Sequence, residues 1–393
     1  MSLVNKGEGN MKKVIIIFLL MAVMMTTGCS IKYQLPVNLM KTPKLNEKYI
    51  KNQQGLTDSE MRVLAQSFVP NGYKILEDTN SMEKQSIYYI DVDGDSKQEL
   101  VVLVKNSTKI NVGFFIMKDK YGKWEKTFEF FDEGVGVKTV KAISGDNGEE
   151  GKLLVSNMTS FKGPNQYYLF DFSKGWDTNA VDLGLWTALT VIPSESGQVA
   201  FVAQNNENDT ISDLYVVRYD GENFYNYVNY DVYESKIAQY KNIIDQYEGN
   251  ESVWYYYIYS QYMIKKYDEA LKDMDEYWKR NRTGDKITVK EDKFKILNAL
   301  ILIELGQADK AKDIIEKTYG PMVDNGDKDY DISWWDFYYA MGKISILREN
   351  REAAAGNFEM ALRILNHTYD KDLKGYGKIV RDVKESMIKE VAK

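Results

Sequence analysis

The hydrophobic periodicity of this chain changes near residue 230, and that change restricts the fold more than any other feature. Between about residues 70 and 230, short runs of β-branched and aromatic residues are broken by turn residues, which is typical of antiparallel β structure. After about residue 232, apolar residues recur at helical spacing. The pattern predicts a multidomain β-then-α protein, with a β domain over 57–230 and an α-helical domain over 231–393.

The β region contains three similar segments. In each, an apolar strand begins at the same distance before a turn glycine, in the pairs Glu99 and Gly122, Lys152 and Gly175, and Gln198 and Gly221. Repetition at a period of roughly 50 residues is typical of β-propeller blades of about four strands. Three segments are too few for an ordinary closed propeller. We therefore expect propeller-like blades in a partial or small arrangement, or a further contribution from residues 57–80.

The helical region also repeats. Its small and large apolar residues fall at recurring offsets, namely Trp254, Tyr267, Ala270 and Met274, then Gly306, Ala311 and Ile315, then Gly342, Ala354, Phe358 and Ala361. These positions resemble those of tetratricopeptide repeats over residues 236–368, although their spacing exceeds the usual period of about 34 residues. The resemblance implies a helical solenoid with insertions near Gly284 and Gly326. A generic helical solenoid remains an alternative.

One loop carries ligand chemistry. The segment 91–100 reads DVDGDSKQEL and places carboxylates at its first, third, fifth and ninth positions, with a glycine at the fourth. Several hard oxygens can thus converge on one cation, as calcium requires. The early glycine and the following strand exclude an EF-hand. The alternative is a solvated acidic turn that binds nothing.

The same loop resembles the FG-GAP repeat of integrin-like propellers and of many bacterial surface proteins. The resemblance implies one structural calcium ion, held by the side chains of Asp91, Asp93, Asp95 and Glu99 and by the carbonyl of Lys97. The second and third segments do not keep the loop, so at most one ion is expected.

The N-terminal residues have the layout of an export signal. Lys12 and Lys13 precede an apolar run from Val14 to Met25, which ends at Thr26-Thr27-Gly28-Cys29. That ending resembles the lipobox of bacterial lipoproteins, although Thr26 replaces the usual aliphatic residue. The resemblance implies a signal peptide over 1–28, lipid on Cys29 and a tether over 29–56. Met11 is an alternative start to Met1.

Composition excludes several classes of function. Cys29 and His367 are the only residues of their types, so neither an intramolecular disulfide nor a clustered Cys/His zinc site is available. A net charge of −7 argues against sequence-independent binding of nucleic acid.

These features predict a non-catalytic lipoprotein at the extracytoplasmic face of a cell membrane, which binds a protein partner through its helical repeats. Two aromatic groups could line that surface, although packing between helices is the favoured interpretation for most of them: Trp254, Tyr255, Tyr256, Tyr257, Tyr259 and Tyr262, and Trp334 with Trp335. A carbohydrate-binding or cell-wall-binding protein is the second hypothesis. A hydrolase on a propeller-like scaffold is the third.

Overall fold

The computed structural model describes residues 57–76, 85–143, 151–161, 163–194, 198–207, 210–247, 250–281, 289–324, 333–369 and 375–392. All of them belong to one compact unit, Asn52–Lys393. Cys29, the signal peptide, the tether and the glycines Gly284 and Gly326 lie outside the described residues. Within the described ranges, no helix is both long and apolar enough to cross a membrane.

The first described element is a short helix, α1 (Asp58–Gln66), with a complete capping box. Glu60 N–H donates to Thr57 Oγ1 at 3.3 Å, and the backbone N–H of Thr57 donates to the Glu60 carboxylate at 2.7 Å. The helix covers the outer face of the first sheet, where Ala65 packs with Ile75 and Phe115.

Three antiparallel sheets follow, each four strands wide. Sheet 1 contains β1 (Tyr73–Ile75), β2 (Ile87–Ile90), β3 (Glu99–Asn106), β4 (Asn111–Lys120) and β5 (Lys123–Glu133), with β1 and β2 pairing along the same edge of β3. Sheet 2 contains β6 (Gly136–Ile143), β7 (Lys152–Met158), β8 (Asn165–Asp171) and β9 (Val181–Trp186). Sheet 3 contains β10 (Ala188–Ile192), β11 (Val199–Glu207), β12 (Thr210–Tyr219) and β13 (Phe224–Asn226). In the described part of the chain, none of the sheets closes on itself.

The sheets pack face to face, and the sequence of β3 explains why. Its apolar run is continuous because both of its faces are buried. Val101 and Leu103 pack against Phe170 of sheet 2, whereas Leu100 and Val102 face α1. The opposite face of sheet 2 contributes Leu154 and Leu169 to a second core, shared with sheet 3.

Eight described helices follow the sheets: α2 (Tyr230–Tyr247), α3 (Glu251–Met263), α4 (Tyr267–Asn281), α5 (Val289–Glu304), α6 (Ala308–Asp324), α7 (Ser333–Leu347), α8 (Arg351–Thr368) and α9 (Gly375–Val391). The β-then-α order is therefore confirmed. Six of them form three hairpins, α3–α4, α5–α6 and α7–α8, whose small residues Ala270, Ala311 and Ala354 are buried. Gly342 lies so close to the Phe358 ring that a Cβ there would overlap it.

The last helix, α9, returns to the sheets. Its residues Ile379 and Val383 belong to the core that sheets 2 and 3 share, and Ile388 packs with Trp335 of α7. The backbone of Gly375 approaches Gly184 of β9 closely, and both glycines have positive φ, at +62° and +86°. The division of the chain into domains at residue 230 stays a prediction, and α9 makes contacts across it.

Candidate functional site

The acidic loop between β2 and β3 is held in a tight turn by one of its own carboxylates. Asp91 Oδ1 accepts a hydrogen bond from Gly94 N–H at 2.8 Å, and Oδ2 accepts one from Ser96 N–H at 2.9 Å. Gly94 and Ser96 have φ values of +77° and +66°, in the left-handed region. Burial raises the pKa of Asp91 despite these two hydrogen bonds. The loop therefore has a fixed shape.

Sheet 2 packs closely against this loop. Gly151, immediately before β7, lies so near the backbone of Asp93 that a Cβ on it would be 2.5 Å from the Asp93 Cα. The acidic loop consequently lies at the junction of sheets 1 and 2 rather than on an open surface.

The carboxylates of Asp91, Asp93 and Glu99 converge. One oxygen from each lies within 4.8 Å of the other two. Calcium binds oxygens at about 2.3–2.6 Å, so ligands on opposite sides of an ion are about 5 Å apart, and this cluster fits one ion. Asp95 is not part of the cluster; its Oδ1 accepts a hydrogen bond from Lys97 N–H at 2.8 Å. The Lys97 carbonyl as a ligand stays a prediction.

Glu99 is the most unusual of these groups because it is fully buried at the start of β3. Its Oε2 accepts a hydrogen bond from Val92 N–H at 2.9 Å, but its Oε1 is buried without a hydrogen-bond partner. Burial raises the pKa of Glu99 to about 7. A cation near Oε1 would compensate for this desolvation.

Lys118 of β4 supplies a positive charge. Its ammonium bonds to Asp93, lies 2.8 Å from Asp95 Oδ2 and lies 3.3 Å from Glu99 Oε1, an ion-pair contact that falls short of a hydrogen bond. Burial disfavours the charged form of Lys118. The bonds to Asp93 and Asp95 and the charge of Glu99 outweigh this effect and raise the pKa of Lys118. Sequence reasoning missed this residue. The hairpin register could have indicated it, because Leu100 pairs with Met117 and so brings Lys118 close to Glu99.

A second cluster contains side chains from three helices. Lys384 of α9 extends over the ring of Trp335 in α7, 3.6 Å from its centroid, and donates to Asp336 Oδ1 at 3.3 Å. The charge of Asp336 in turn acts on Tyr259 of α3, whose ring stacks on Tyr255 at 6.0 Å with an interplanar angle of 9°. Elements distant in sequence thus bring two charges and several aromatic rings together.

These side chains lie partly at the surface. The side chain of Lys384 is 17% exposed, and Tyr259 is also partly exposed. Burial nevertheless lowers the pKa of Lys384, and it raises that of Tyr259 to about 12. Both groups are therefore largely removed from solvent although part of each side chain stays at the surface. We call the surface formed by Tyr255, Tyr259, Asp336 and Lys384 the helical recess.

Most of the aromatic residues singled out in the sequence are core residues. Trp254, Tyr256, Tyr257, Tyr262 and Trp335 are buried, which confirms the packing interpretation for these five. Tyr255, Tyr259 and Trp334 are only partly buried.

The exposed aromatic residues of the β region are far apart. Tyr121 and Phe161 are exposed, whereas Trp186 is fully buried. Tyr121 follows β4, near the acidic loop. Phe161 follows β7, whose opposite end contacts that loop through Gly151. The two rings therefore do not form one platform on which a sugar could stack.

A cavity of about 240 Å³ opens between sheets 2 and 3. Lys152, Asp171, Lys174, Asp177 and Tyr219 are among its lining residues. It is smaller than most sites for small molecules, which measure about 300–1,000 Å³. We assign it no function.

Comparison of the chain with protein-family models, with curated proteins and with solved structures found no match.

Proposed function

We propose that this chain is an exported lipoprotein, anchored through lipid on Cys29 at the extracytoplasmic face of a cell membrane, that binds a protein partner in the helical recess. The observation that carries the proposal is that Lys384 of α9 donates to Asp336 of α7, whose charge acts on the partly exposed Tyr259 of α3. Tyrosine is among the side chains that contribute most to binding between proteins.

The repeated helical hairpins support this proposal. Three consecutive hairpins with buried alanines on their second helices are what a tetratricopeptide-like solenoid requires, and such arrays bind peptides and proteins on their concave side. By the same reasoning, three consecutive antiparallel sheets of five, four and four strands support a partial propeller-like arrangement of the β region.

We also propose that the acidic loop binds one structural calcium ion. Asp91, Asp93 and Glu99 would supply carboxylate oxygens, and the buried Glu99 Oε1 fits this role because it makes no hydrogen bond beyond its ion pair with Lys118. The ion would relieve the repulsion among carboxylates at the junction of sheets 1 and 2. Extracellular calcium sites of this kind bind at roughly 0.1–1 mM.

Lipid attachment is tested by metabolic labelling with a fatty-acid analogue. We expect label on the wild-type chain and none on Cys29→Ser, because the chain contains no other cysteine. Label that persists on Cys29→Ser would refute the anchor.

Partner binding is tested by photocrosslinking in intact cells, with benzoylphenylalanine in place of Tyr259. The control position is Tyr121, which is fully exposed on the turn after β4. We expect a discrete protein adduct from position 259 and none of the same mass from position 121. Adducts at both positions alike, or wall polymer captured from position 121 alone, would contradict the proposal.

A further inference from the structure

The ammonium of Lys118 lies against two of the three carboxylates that would hold a bound cation. It contacts Asp93, Asp95 and Glu99, and two of these, Asp93 and Glu99, belong to the carboxylate cluster that fits one ion. The contact with Glu99 is made to Oε1, the buried oxygen without a hydrogen-bond partner. The acidic loop therefore carries a cation from its own chain.

Lys118 and a calcium ion cannot use the same carboxylate oxygens at once. An ion bound through Asp93 Oδ2 and Glu99 Oε1, the oxygens that Lys118 contacts, would lie about 2.4 Å from them, hence within a few ångströms of the ammonium. Positive charges at that separation repel strongly where water is largely excluded, and the side chain of Lys118 is only 14% exposed.

Lys118 already makes a second favourable contact, which its displacement from the carboxylates would not remove. The ring of Trp176 lies 5.5 Å from Lys118 Nζ, and an ammonium over an indole ring is favourable. Lys118 could thus leave the carboxylates without losing all stabilisation of its charge.

We propose that Lys118 is a built-in competitor of the metal: it neutralises the acidic loop when calcium is scarce and is displaced when calcium binds. This inference rests on the proposed calcium site and adds its regulation. The loop keeps its shape without metal, and the affinity for calcium is lower than the carboxylates alone would give.

The first test is calorimetric titration of the full chain with calcium chloride in metal-free buffer. The variants are Lys118→Met, which keeps an apolar stem near Trp176, and Lys120→Met as control. Lys120 is on the same strand, is 54% exposed and pairs with Glu125. We expect Lys118→Met to bind calcium at least about tenfold more tightly, since an ion pair must be broken only in the wild type. Lys120→Met should bind calcium as the wild type does.

The second test needs no variant. The wild-type chain is acetylated briefly with an N-hydroxysuccinimide ester, with and without calcium, and the modification of Lys118 relative to Lys120 is measured by mass spectrometry. Calcium should increase the modification of Lys118. This measurement decides the question if Lys118→Met does not fold.

The outcomes separate the two proposals. Equal calcium affinity of the wild type and Lys118→Met, or modification of Lys118 that calcium leaves unchanged or lowers, would overturn the competition while the calcium site stands. If the folded wild type and folded Lys118→Met both fail to bind calcium, the calcium site is refuted and the competition with it.

Discussion

The backbone N–H of Phe224 in β13 donates a hydrogen bond to Asp382 of α9 at 3.3 Å. Two residues further on, Asn226 N–H donates to Ser386 Oγ at 3.1 Å. Side chains of α9 thus satisfy backbone donors of β13, the edge strand of sheet 3. An uncovered edge strand invites pairing with other chains, and α9 removes that risk for β13.

Asp382→Ala should lower the free energy of unfolding by about 2–4 kcal/mol, because it leaves a buried N–H and two cations without their partner. Asp382 is 6% exposed and pairs with Lys378 and Arg381. The control is Glu385→Ala on the same helix, whose partner Lys389 is 67% exposed. Denaturant unfolding measures both. Equal effects of the two substitutions would argue against a structural role for the Asp382 contact.

Gly342→Ala should destabilise the chain by about 1–3 kcal/mol, because the added methyl overlaps the Phe358 ring between α7 and α8. Gly356→Ala is the matched control, since a Cβ there meets nothing within 4 Å. It should stabilise the chain by about 0.5–1 kcal/mol, because alanine loses less backbone entropy in a helix. In thermal unfolding, Gly342→Ala should lower the melting temperature and Gly356→Ala should raise it. A Gly342→Ala variant with the wild-type melting temperature would disprove the close packing of this hairpin.

Much of the fold could be predicted from local sequence. The strand that begins at Glu99, the capping box of Thr57 and Glu60, and the change of period near residue 230 all follow from neighbouring residues. The acidic loop could be found for the same reason, since its carboxylates lie within one turn of chain.

The contacts that sequence reasoning missed join distant residues. Lys118 reaches the acidic loop through strand pairing, and Asp382 reaches Phe224 through the return of α9. Each contact depends on how the elements pack, which no local pattern specifies.

A chain that begins at Asp231 should be less stable than the full chain, because α9 then lacks the sheet core that covers Ile379 and Val383.

Lys236→Met should stabilise the chain at pH 7 by about 1–2 kcal/mol. The ammonium of Lys236 is held by an amide, Gln204 Oε1 at 3.1 Å, and burial lowers its pKa to about 8. The unfolded chain keeps this proton up to about pH 10.4, so the cost of burying the charge is complete below pH 8 and disappears as the pH rises from 8 to 10.4.

The gain from Lys236→Met should therefore shrink over that pH window. Lys241→Met, on the same helix and 51% exposed, is the control and should change stability by less than about 0.5 kcal/mol. Urea unfolding at pH 7 and pH 10 provides the comparison. A gain that is the same at both values would show that the buried charge of Lys236 is not its cause.

The most direct test of binding in the helical recess is the yield of crosslinked partner from benzoylphenylalanine at position 255, compared between the otherwise wild-type chain and Lys384→Met. Tyr255 stacks on Tyr259, and Lys384 donates to Asp336 of the same surface. Thermal unfolding of both proteins shows whether the fold is kept, and a crosslinker at Tyr121 reports non-specific capture. If a partner binds at this surface, we expect a strong adduct from the otherwise wild-type chain. The yield of that adduct should fall several-fold in folded Lys384→Met. An unchanged yield, or a yield no greater than from position 121, would contradict binding at this surface.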